Sequence, residues 1–307
     1  AVRMNQQMRH QLNHEKDQLR ILQQMSQLTE TAIGLNHQLA AANAPTPLNK
    51  AFYFAEQNKS ALLADAVKGQ RARTLSNLPE QLVLKELSLQ QAIKQMEKEI
   101  IEARSNTQKE VLQARLNALR LQLDQFLKSI QQQYPKYYAM KYEDLSVEVE
   151  VVQAGLDRET LLLEYFVGDS TTYVFAIGQQ SIQLYAIPLS RLALNRRVTA
   201  FQKALSDYQF LHDQPQKARN QYHTQAHWFY KKLLAPALKD PAISRLIVVT
   251  DGALGYLPFE AFLTKAVTGS TTTYPKLPYL LQKYAVSYHY SATLWKQQAA
   301  VDNAPNN

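Results

Sequence analysis

The chain of 307 residues contains no cysteine. This absence excludes disulfides, thiolate metal sites and a cysteine nucleophile within the chain. Glycine is scarce, with 8 residues, and the sequence has neither a Walker loop nor a GxGxxG turn, so nothing supports a nucleotide site. No uncharged apolar run approaches the roughly 20 residues of a membrane helix, and no signal peptide opens the sequence. We expect no cofactor, no membrane segment and, by preference, a cytoplasmic location.

The net charge is +8, and the basic excess lies in the front half, mixed with acidic residues along predicted helices. That pattern is typical of a solvated helix face, and a nucleic-acid surface is the less favoured alternative. The chain begins with Ala-Val-Arg and ends with Pro-Asn-Asn. Both ends resemble cuts in a longer protein.

The front half begins with two predicted helices, over residues 1–42 and 48–69. Prolines between them favour a turn, because proline and its predecessor disfavour helix. Three residues of the second helix, Phe52, Ala55 and Lys59, are expected to face inward. The aliphatic stem of the lysine can lie along apolar neighbours.

A helical hairpin is predicted next, over residues 80–104 and 108–133. Each segment has apolar residues at alternating spacings of four and three, which is a heptad seam. The polar connection is short, which favours antiparallel helices. Thr107 and Glu110 are expected to form a capping box. The hairpin either protrudes toward a partner or braces the helical array.

From about residue 143 the pattern changes to that of an α/β fold. The alternation of Val147, Val149 and Val151 with polar residues predicts a strand. Further apolar runs and turn signals predict the following elements: strands over 160–167, 173–177, 182–187 and 280–288, helices over 190–212 and 218–239, and a last short helix capped by Ser291.

The stretch RLIVVTDGALGYLPFEAF, at residues 245–262, organises this half. Its β-branched start predicts a strand buried on both faces of a sheet. Asp251 and Gly252 end that strand, because glycine tolerates positive φ and aspartate bonds nearby backbone. Pro258 is expected to open a helix, with Glu260 in its first turn interacting with the helix dipole. Sites often lie at such a strand-loop-helix edge.

Two histidines, His223 and His227, lie four apart on a predicted helix, so their side chains point the same way. A metal site would need a third and a fourth ligand. His212 and Asp213 are near in sequence, but no HExxH glutamate is present. We favour a polar helix face over a metal site.

Asp251 is a candidate catalytic acid, because it follows a buried strand, but we favour a turn-forming role. His289 and Ser291 are a candidate base and nucleophile. They lie two apart in one segment, where side chains need not converge, and no third orienting group is evident. We therefore predict no catalytic residue in this chain.

VTDGALGYLPFEAF resembles the VPDGxLxxLPFEAL signature of the CHAT domain, a caspase- and separase-like family often placed after TPR helices. LLLEYFVGDSTTYVFAI resembles the start of that domain, KYAVSYHYSATLW its next block, and AFYFAEQNKSALLADAV the last helix of a TPR array. The resemblance implies a short helix rather than a strand near residues 147–151. It also implies that the motif residues are structural: Asp251, Gly252, Leu254, Leu257, Pro258, Phe259 and Glu260.

CHAT peptidases resemble caspases in using a histidine and a cysteine, which lie in AtHG-like and SACxT-like segments downstream of the Ser-Ala-Thr-Leu block. This chain contains neither segment. Patterns and resemblance together predict TPR-like helices over 1–75, an antiparallel coiled-coil hairpin over 76–142 and the N-terminal, non-catalytic part of a CHAT α/β domain over 143–307.

The implied function is that of a front fragment of a caspase- or separase-like cysteine endopeptidase. Its helices would bind or sense a protein partner, and its α/β part would scaffold a catalytic subdomain that this chain lacks. The alternative is a non-enzymatic scaffold module that binds protein or nucleic acid. Under either interpretation, the chain itself is not expected to be an enzyme.

Overall fold

A computed structural model describes residues 15–40, 46–63, 78–103, 105–135, 137–138, 147–267 and 274–302. The predicted helical residues before 15 and between 64 and 69 lie outside this part. Two compact units form: one holds residues up to Met25 and Ser60–Leu145, and the other holds Ser26–Lys59 and Ser146–Asn307. The predicted domain boundaries at residues 75 and 142 stay a prediction. None of the described helices combines the length and the apolar character needed to span a bilayer.

The α-helices, in chain order, are α1 (Glu15–Ala40), α2 (Thr46–Leu63), α3 (Glu80–Glu102), α4 (Asn106–Gln133), α5 (Val149–Gln153), α6 (Arg191–Ser206), α7 (Tyr208–Asp213), α8 (Pro215–Phe229) and α9 (Ala292–Asp302). The strands are β1 (Thr160–Val167), β2 (Thr172–Gly178), β3 (Ser181–Ile187), β4 (Arg245–Val249) and β5 (Ala285–His289). A π-helical turn (Tyr230–Leu234) and short 3-10 turns complete the described elements.

In the first unit, α3 and α4 pair in opposite directions. The Arg120 guanidinium lies 2.9 Å from the Glu97 carboxylate, and the Tyr137 hydroxyl donates to Glu86 at 2.8 Å. Ser105 caps α4 by accepting from a backbone N–H in its first turn, at 3.2 Å. The capping box predicted at Thr107 and Glu110 is wrong, because the helix has already begun at Asn106.

The second unit is built on one mixed sheet with the strand order β3-β2-β1-β4-β5. The pairs β1–β2 and β2–β3 are antiparallel, while β1–β4 and β4–β5 are parallel. β1 is central and is buried along its whole length, as expected for a strand covered on both faces. The parallel strands therefore present their carboxyl ends at one edge of the sheet.

Helices cover both faces of this sheet. One apolar core contains residues of α6 and α8 and the segment after β4. The other contains Ile33 of α1, Phe52 of α2, Val149 of α5 and Ala292 of α9. Full burial of a side chain such as that of Phe52 stabilises the fold by about 1.5–3 kcal/mol. The described part of the front helices within this unit is thus one layer of the α/β sandwich.

The predicted fold class, a helical front followed by an α/β part, is confirmed. The strand predicted from the valine alternation is wrong: the segment forms α5, and Val149 and Val152, three apart, are its buried residues. The helix expected after Pro258 is only a 3-10 turn (Phe259–Ala261). The strand expected from residue 280 begins at Ala285. Asp207 divides the helix predicted over 190–212 by capping α7.

Candidate functional site

Asp251 joins the carboxyl ends of the parallel strands β1 and β4. Its carboxylate Oδ2 accepts the backbone N–H of Val167, the last residue of β1, at 2.6 Å. Gly252 follows with a φ of +53°, where a Cβ would crowd the backbone. The expected turn is present, but the carboxylate bonds to the neighbouring strand rather than within its own turn. This geometry fits a clamp between strand ends, and the structural role of Asp251 stays a prediction.

The loop after Asp251 packs into the core below the sheet. Leu254 and Phe259 are fully buried, and Leu257 is nearly so. Glu260 is half-buried, and it accepts the Tyr288 hydroxyl at 2.5 Å. The same hydroxyl accepts the Phe259 N–H at 2.8 Å. Burial, and next the Glu260 hydrogen bond, raise the pKa of Tyr288, so β5 holds this loop through a neutral phenol.

The turn between β1 and β2 binds the carboxylate of Glu30 from α1. The backbone N–H groups of Asp169, Ser170 and Thr171 all donate to it, as does the Ser170 hydroxyl. Partial burial acts to raise the pKa of Glu30, but the Ser170 hydroxyl and the three amides outweigh it, and the net effect is a lowered pKa. The carboxylate is therefore held as an anion at the end of β1.

A buried charged cluster lies beneath the same edge, on the opposite face from the Asp251 loop. Glu164 of β1 is completely buried, and Lys59 of α2 is 4% exposed. The Lys59 ammonium lies 3.5 Å from Glu164 Oε1 and donates to the Val249 carbonyl at 3.4 Å. Lys59 faces inward as expected, and its ammonium is buried beside an acidic side chain.

Glu56 completes this cluster and binds the start of α9. Its two oxygens accept the backbone N–H groups of Ala292, at 3.0 Å, and Thr293, at 2.9 Å, and the Thr293 hydroxyl also donates to it. Burial, and next the charge of Glu56, raise the pKa of Glu164 well above its usual range, against the opposing effect of Lys59. Glu164, a carboxyl that favours its protonated form, thus interacts both with the Lys59 ammonium and with Glu56, which accepts N–H groups at the start of α9.

Comparison with known protein families identifies the segment that carries the Asp251 loop. Residues 223–307 match the CHAT domain. This CHAT segment includes β4, the Asp251 loop, β5 and α9, while β1, β2 and β3 precede it. The family resemblance drawn from the VTDGALGYLPFEAF motif is therefore confirmed. No curated protein matches the chain.

Two histidines lie near the start of the CHAT segment, on α8. His227 Nδ1 lies 3.1 Å from the Leu263 carbonyl, so it donates there when protonated. His223 is buried, and its Nε2 has no hydrogen-bond partner within the described ranges. Burial, and next the charge of Arg219, lower its pKa. The described residues contain no group of three or more His, Cys, Asp and Glu that could hold a metal.

The second candidate pair of the CHAT segment, His289 and Ser291, lies at the end of β5 and just after it. Ser291 is buried, and its hydroxyl accepts the Leu294 N–H at 3.0 Å, so it caps α9 as expected. His289 ends β5, and burial lowers its pKa. Among the described residues no hydrogen bond joins His289 to Ser291. The Ser291 hydroxyl serves as the cap of α9. The pair therefore lacks the hydrogen-bonded base that a serine nucleophile needs.

Sequence reasoning missed three acidic residues of this edge, Glu30, Glu56 and Glu164. Glu164 left a signal, because it interrupts the apolar run LLLEYF, and an unpaired carboxylate inside a buried strand is costly. Glu56 and Lys59 lie three apart on one helix face, which was a weaker signal. Glu30 left none, since an acidic residue on a polar helix is ordinary.

Proposed function

We propose that the α/β unit is the non-catalytic half of a caspase- or separase-like cysteine peptidase. In this role it supports a catalytic segment that lies outside this sequence. The front helices bind a protein partner. The observation that carries the proposal is the absence of cysteine from a chain whose CHAT segment matches a family that resembles caspases. Without a thiolate the chain cannot attack a peptide carbonyl in the way these enzymes do.

The exposed edge of β5 supports this role. β5 pairs with β4, and no described strand pairs with its other side. Parallel strands are normally covered on both faces, yet Ala285, Ser287 and Tyr288 are exposed. An uncovered edge is a template on which a further strand can add. The proposed catalytic segment would continue the sheet here, next to the carboxyl end that carries the Asp251 loop.

The first experiment tests the chain alone. Incubation with a broad panel of peptide substrates and a thiol-reactive probe is expected to give neither turnover nor labelling, with an authentic cysteine peptidase as the positive control. Turnover that persists through repurification would contradict the proposal. It would direct attention to Ser291 or to the His223–His227 pair.

The second experiment identifies the missing chemistry and its docking edge. The coding sequence after Asn307 is expected to supply a histidine block and a cysteine block. The Ala285 N–H donates to the Ser244 carbonyl, so by alternation the Val286 N–H points away from β4. Val286→Pro should then abolish association with the downstream segment, while Val286→Thr, which keeps the N–H, should not. A stop codon after Asn307 would contradict the proposed scaffold role. So would equal association of the Val286→Pro and Val286→Thr variants with the downstream segment.

A non-enzymatic binding module is the second candidate. Four large apolar side chains on the hairpin of the first unit are each more than half exposed: Leu84, Ile101, Val111 and Leu121. Exposed apolar residues of this kind contribute to protein interaction surfaces. Under this alternative, Leu121→Glu in the full chain abolishes partner binding without unfolding, and no peptidase segment follows.

A further inference from the structure

The turn between β1 and β2 has the chemistry of an anion receptor. The carboxylate Oε2 of Glu30 accepts the Asp169 N–H at 2.7 Å. Its Oε1 accepts the N–H groups of Ser170 and Thr171 at 3.0 Å each, and the Ser170 hydroxyl at 2.6 Å. Successive backbone N–H groups that converge in this way form a concavity that binds anions. Hydrogen bonds to a charged acceptor are about twice as strong as neutral ones.

Gly168 provides the space for the bound carboxylate. A Cβ at this position would lie 2.3 Å from Cδ of Glu30 and 2.6 and 2.7 Å from its oxygens, which is far inside van der Waals contact. Its φ lies outside the left-handed region, so alanine can adopt the same backbone conformation. A methyl group at residue 168 would therefore fill the receptor without straining the turn.

Neighbouring side chains fix the turn so that its amides point at one place. Arg191 donates to the Val167 carbonyl at 2.5 Å and lies 3.3 Å from the Asp169 carboxylate. Gln27 donates to the other oxygen of Asp169 at 3.2 Å. The Asp169 side chain is thus bonded away from the receptor, and its backbone N–H stays directed at Glu30.

We propose that the β1–β2 turn, Gly168–Thr171, is a binding site for carboxylates and small tetrahedral oxyanions, and that Glu30 is its resident ligand. Because Glu30 belongs to the same chain, it competes at a high effective concentration. A free anion or the acidic side chain of a partner enters the turn only when the Glu30 side chain leaves it. The site is thus closed while Glu30 occupies the turn and open when it does not.

The test uses inorganic sulfate on the full chain, at an ionic strength held constant with chloride because surface electrostatics depend on salt. In Glu30→Ala, sulfate is expected to shift the amide resonances of Asp169, Ser170 and Thr171 saturably. Wild type should bind at least about tenfold more weakly. The double variant Glu30→Ala/Gly168→Ala is the matched control and should lose the saturable response, because the added methyl group occupies the receptor.

Two results would overturn the proposal. One is a response of Glu30→Ala to sulfate that does not saturate or that equals that of the double variant. The other comes from Glu30→Gln, which keeps the side-chain shape and does not depend on the folding of the alanine variant. Its amide oxygen can replace Oε1, which accepts the Ser170 and Thr171 N–H groups, so its NH2 group faces the Asp169 N–H that Oε2 accepts in the wild type. Hydrogen exchange at Asp169 should therefore speed up relative to wild type, and unchanged protection there would mean that this amide does not depend on a bound carboxylate.

Discussion

Replacing Glu164 with glutamine tests the protonation state of the cluster formed by Glu56, Lys59 and Glu164. Glutamine has nearly the shape of a protonated glutamic acid but does not titrate. The contact of Glu164 Oε1 with the Lys59 ammonium is long, at 3.5 Å, and neither Glu164 oxygen makes a shorter hydrogen bond within the described structure, so a glutamine oxygen can replace this acceptor. We expect Glu164→Gln to be stabilising near neutral pH.

The magnitude follows from the pH dependence of the wild type. Burial and the charge of Glu56 raise the folded-state pKa of Glu164 above its ordinary value of 4.5. The folded protein therefore holds a proton that the unfolded chain releases, and the stability present below pH 4.5 is lost as the pH rises toward the folded pKa. The loss is about 1.4 kcal/mol for each pH unit within that window. Glu164→Gln lacks this loss, so its advantage over wild type should grow with pH at up to that rate.

The assay is urea unfolding followed by tryptophan fluorescence at several pH values. The two tryptophans of the chain report on the second unit, because Trp228 packs against one core of the sheet and Trp295 against the other. Glu148→Gln is the matched control, since it removes an exposed carboxyl from the same unit. Its difference from wild type should stay within about 0.5 kcal/mol at every pH.

A constant difference between Glu164→Gln and wild type across the pH range would refute this reasoning. So would a destabilisation of about 3–5 kcal/mol near neutral pH, which is the expected cost of leaving Lys59 as an unpaired buried charge. Either result would mean that Glu164 is ionised in the folded protein and that its ion pair with Lys59 offsets the cost of burial.

Two further stability predictions concern the Asp251 loop and the hairpin. Gly252→Val should destabilise the second unit by about 1–3 kcal/mol through strain at positive φ, whereas Asp251→Asn should cost little, because the amide oxygen can still accept the Val167 N–H. Thermal or urea unfolding measures both, and a larger loss for Asp251→Asn would contradict the ranking. In the hairpin, Leu116→Ala should cost about 2–5 kcal/mol, because Leu116 is only 3% exposed. Leu119→Ala should lower the free energy of unfolding by less, since Leu119 is half-buried. Equal losses for the two variants, measured by urea unfolding, would contradict a heptad seam in which Leu116 is the more deeply buried residue.

The sequence by itself was sufficient for the elements whose signals are local. β1 and β4 were predicted because short apolar runs bounded by turn signals favour buried strands. Gly252 was predicted because few other residues adopt a positive φ. The family resemblance of the Asp251 motif also rested on fixed local spacing, and the match of residues 223–307 to the CHAT domain confirmed it.

Local signals failed where packing chose between equivalent patterns. The alternating valines at 147, 149 and 151 fit a strand, but the segment buries Val149 and Val152, three apart, as one face of a short helix. Propensity for a strand is weak against such burial. The capping box failed for a related reason, because Ser105 is as good a cap as Thr107, and only the fold determined which residue begins α4.

Tertiary structure alone placed the charged groups of the candidate site. Glu30 meets the β1–β2 turn across a separation of about 140 residues, and its partners are mainly backbone N–H groups, which every residue except proline carries. Glu56 similarly reaches the start of α9 across 236 residues. No spacing or residue type specifies such contacts, because backbone donors leave no mark in a sequence. They exist only once the packing of α1 and α2 on the sheet has brought carboxylates to these amides.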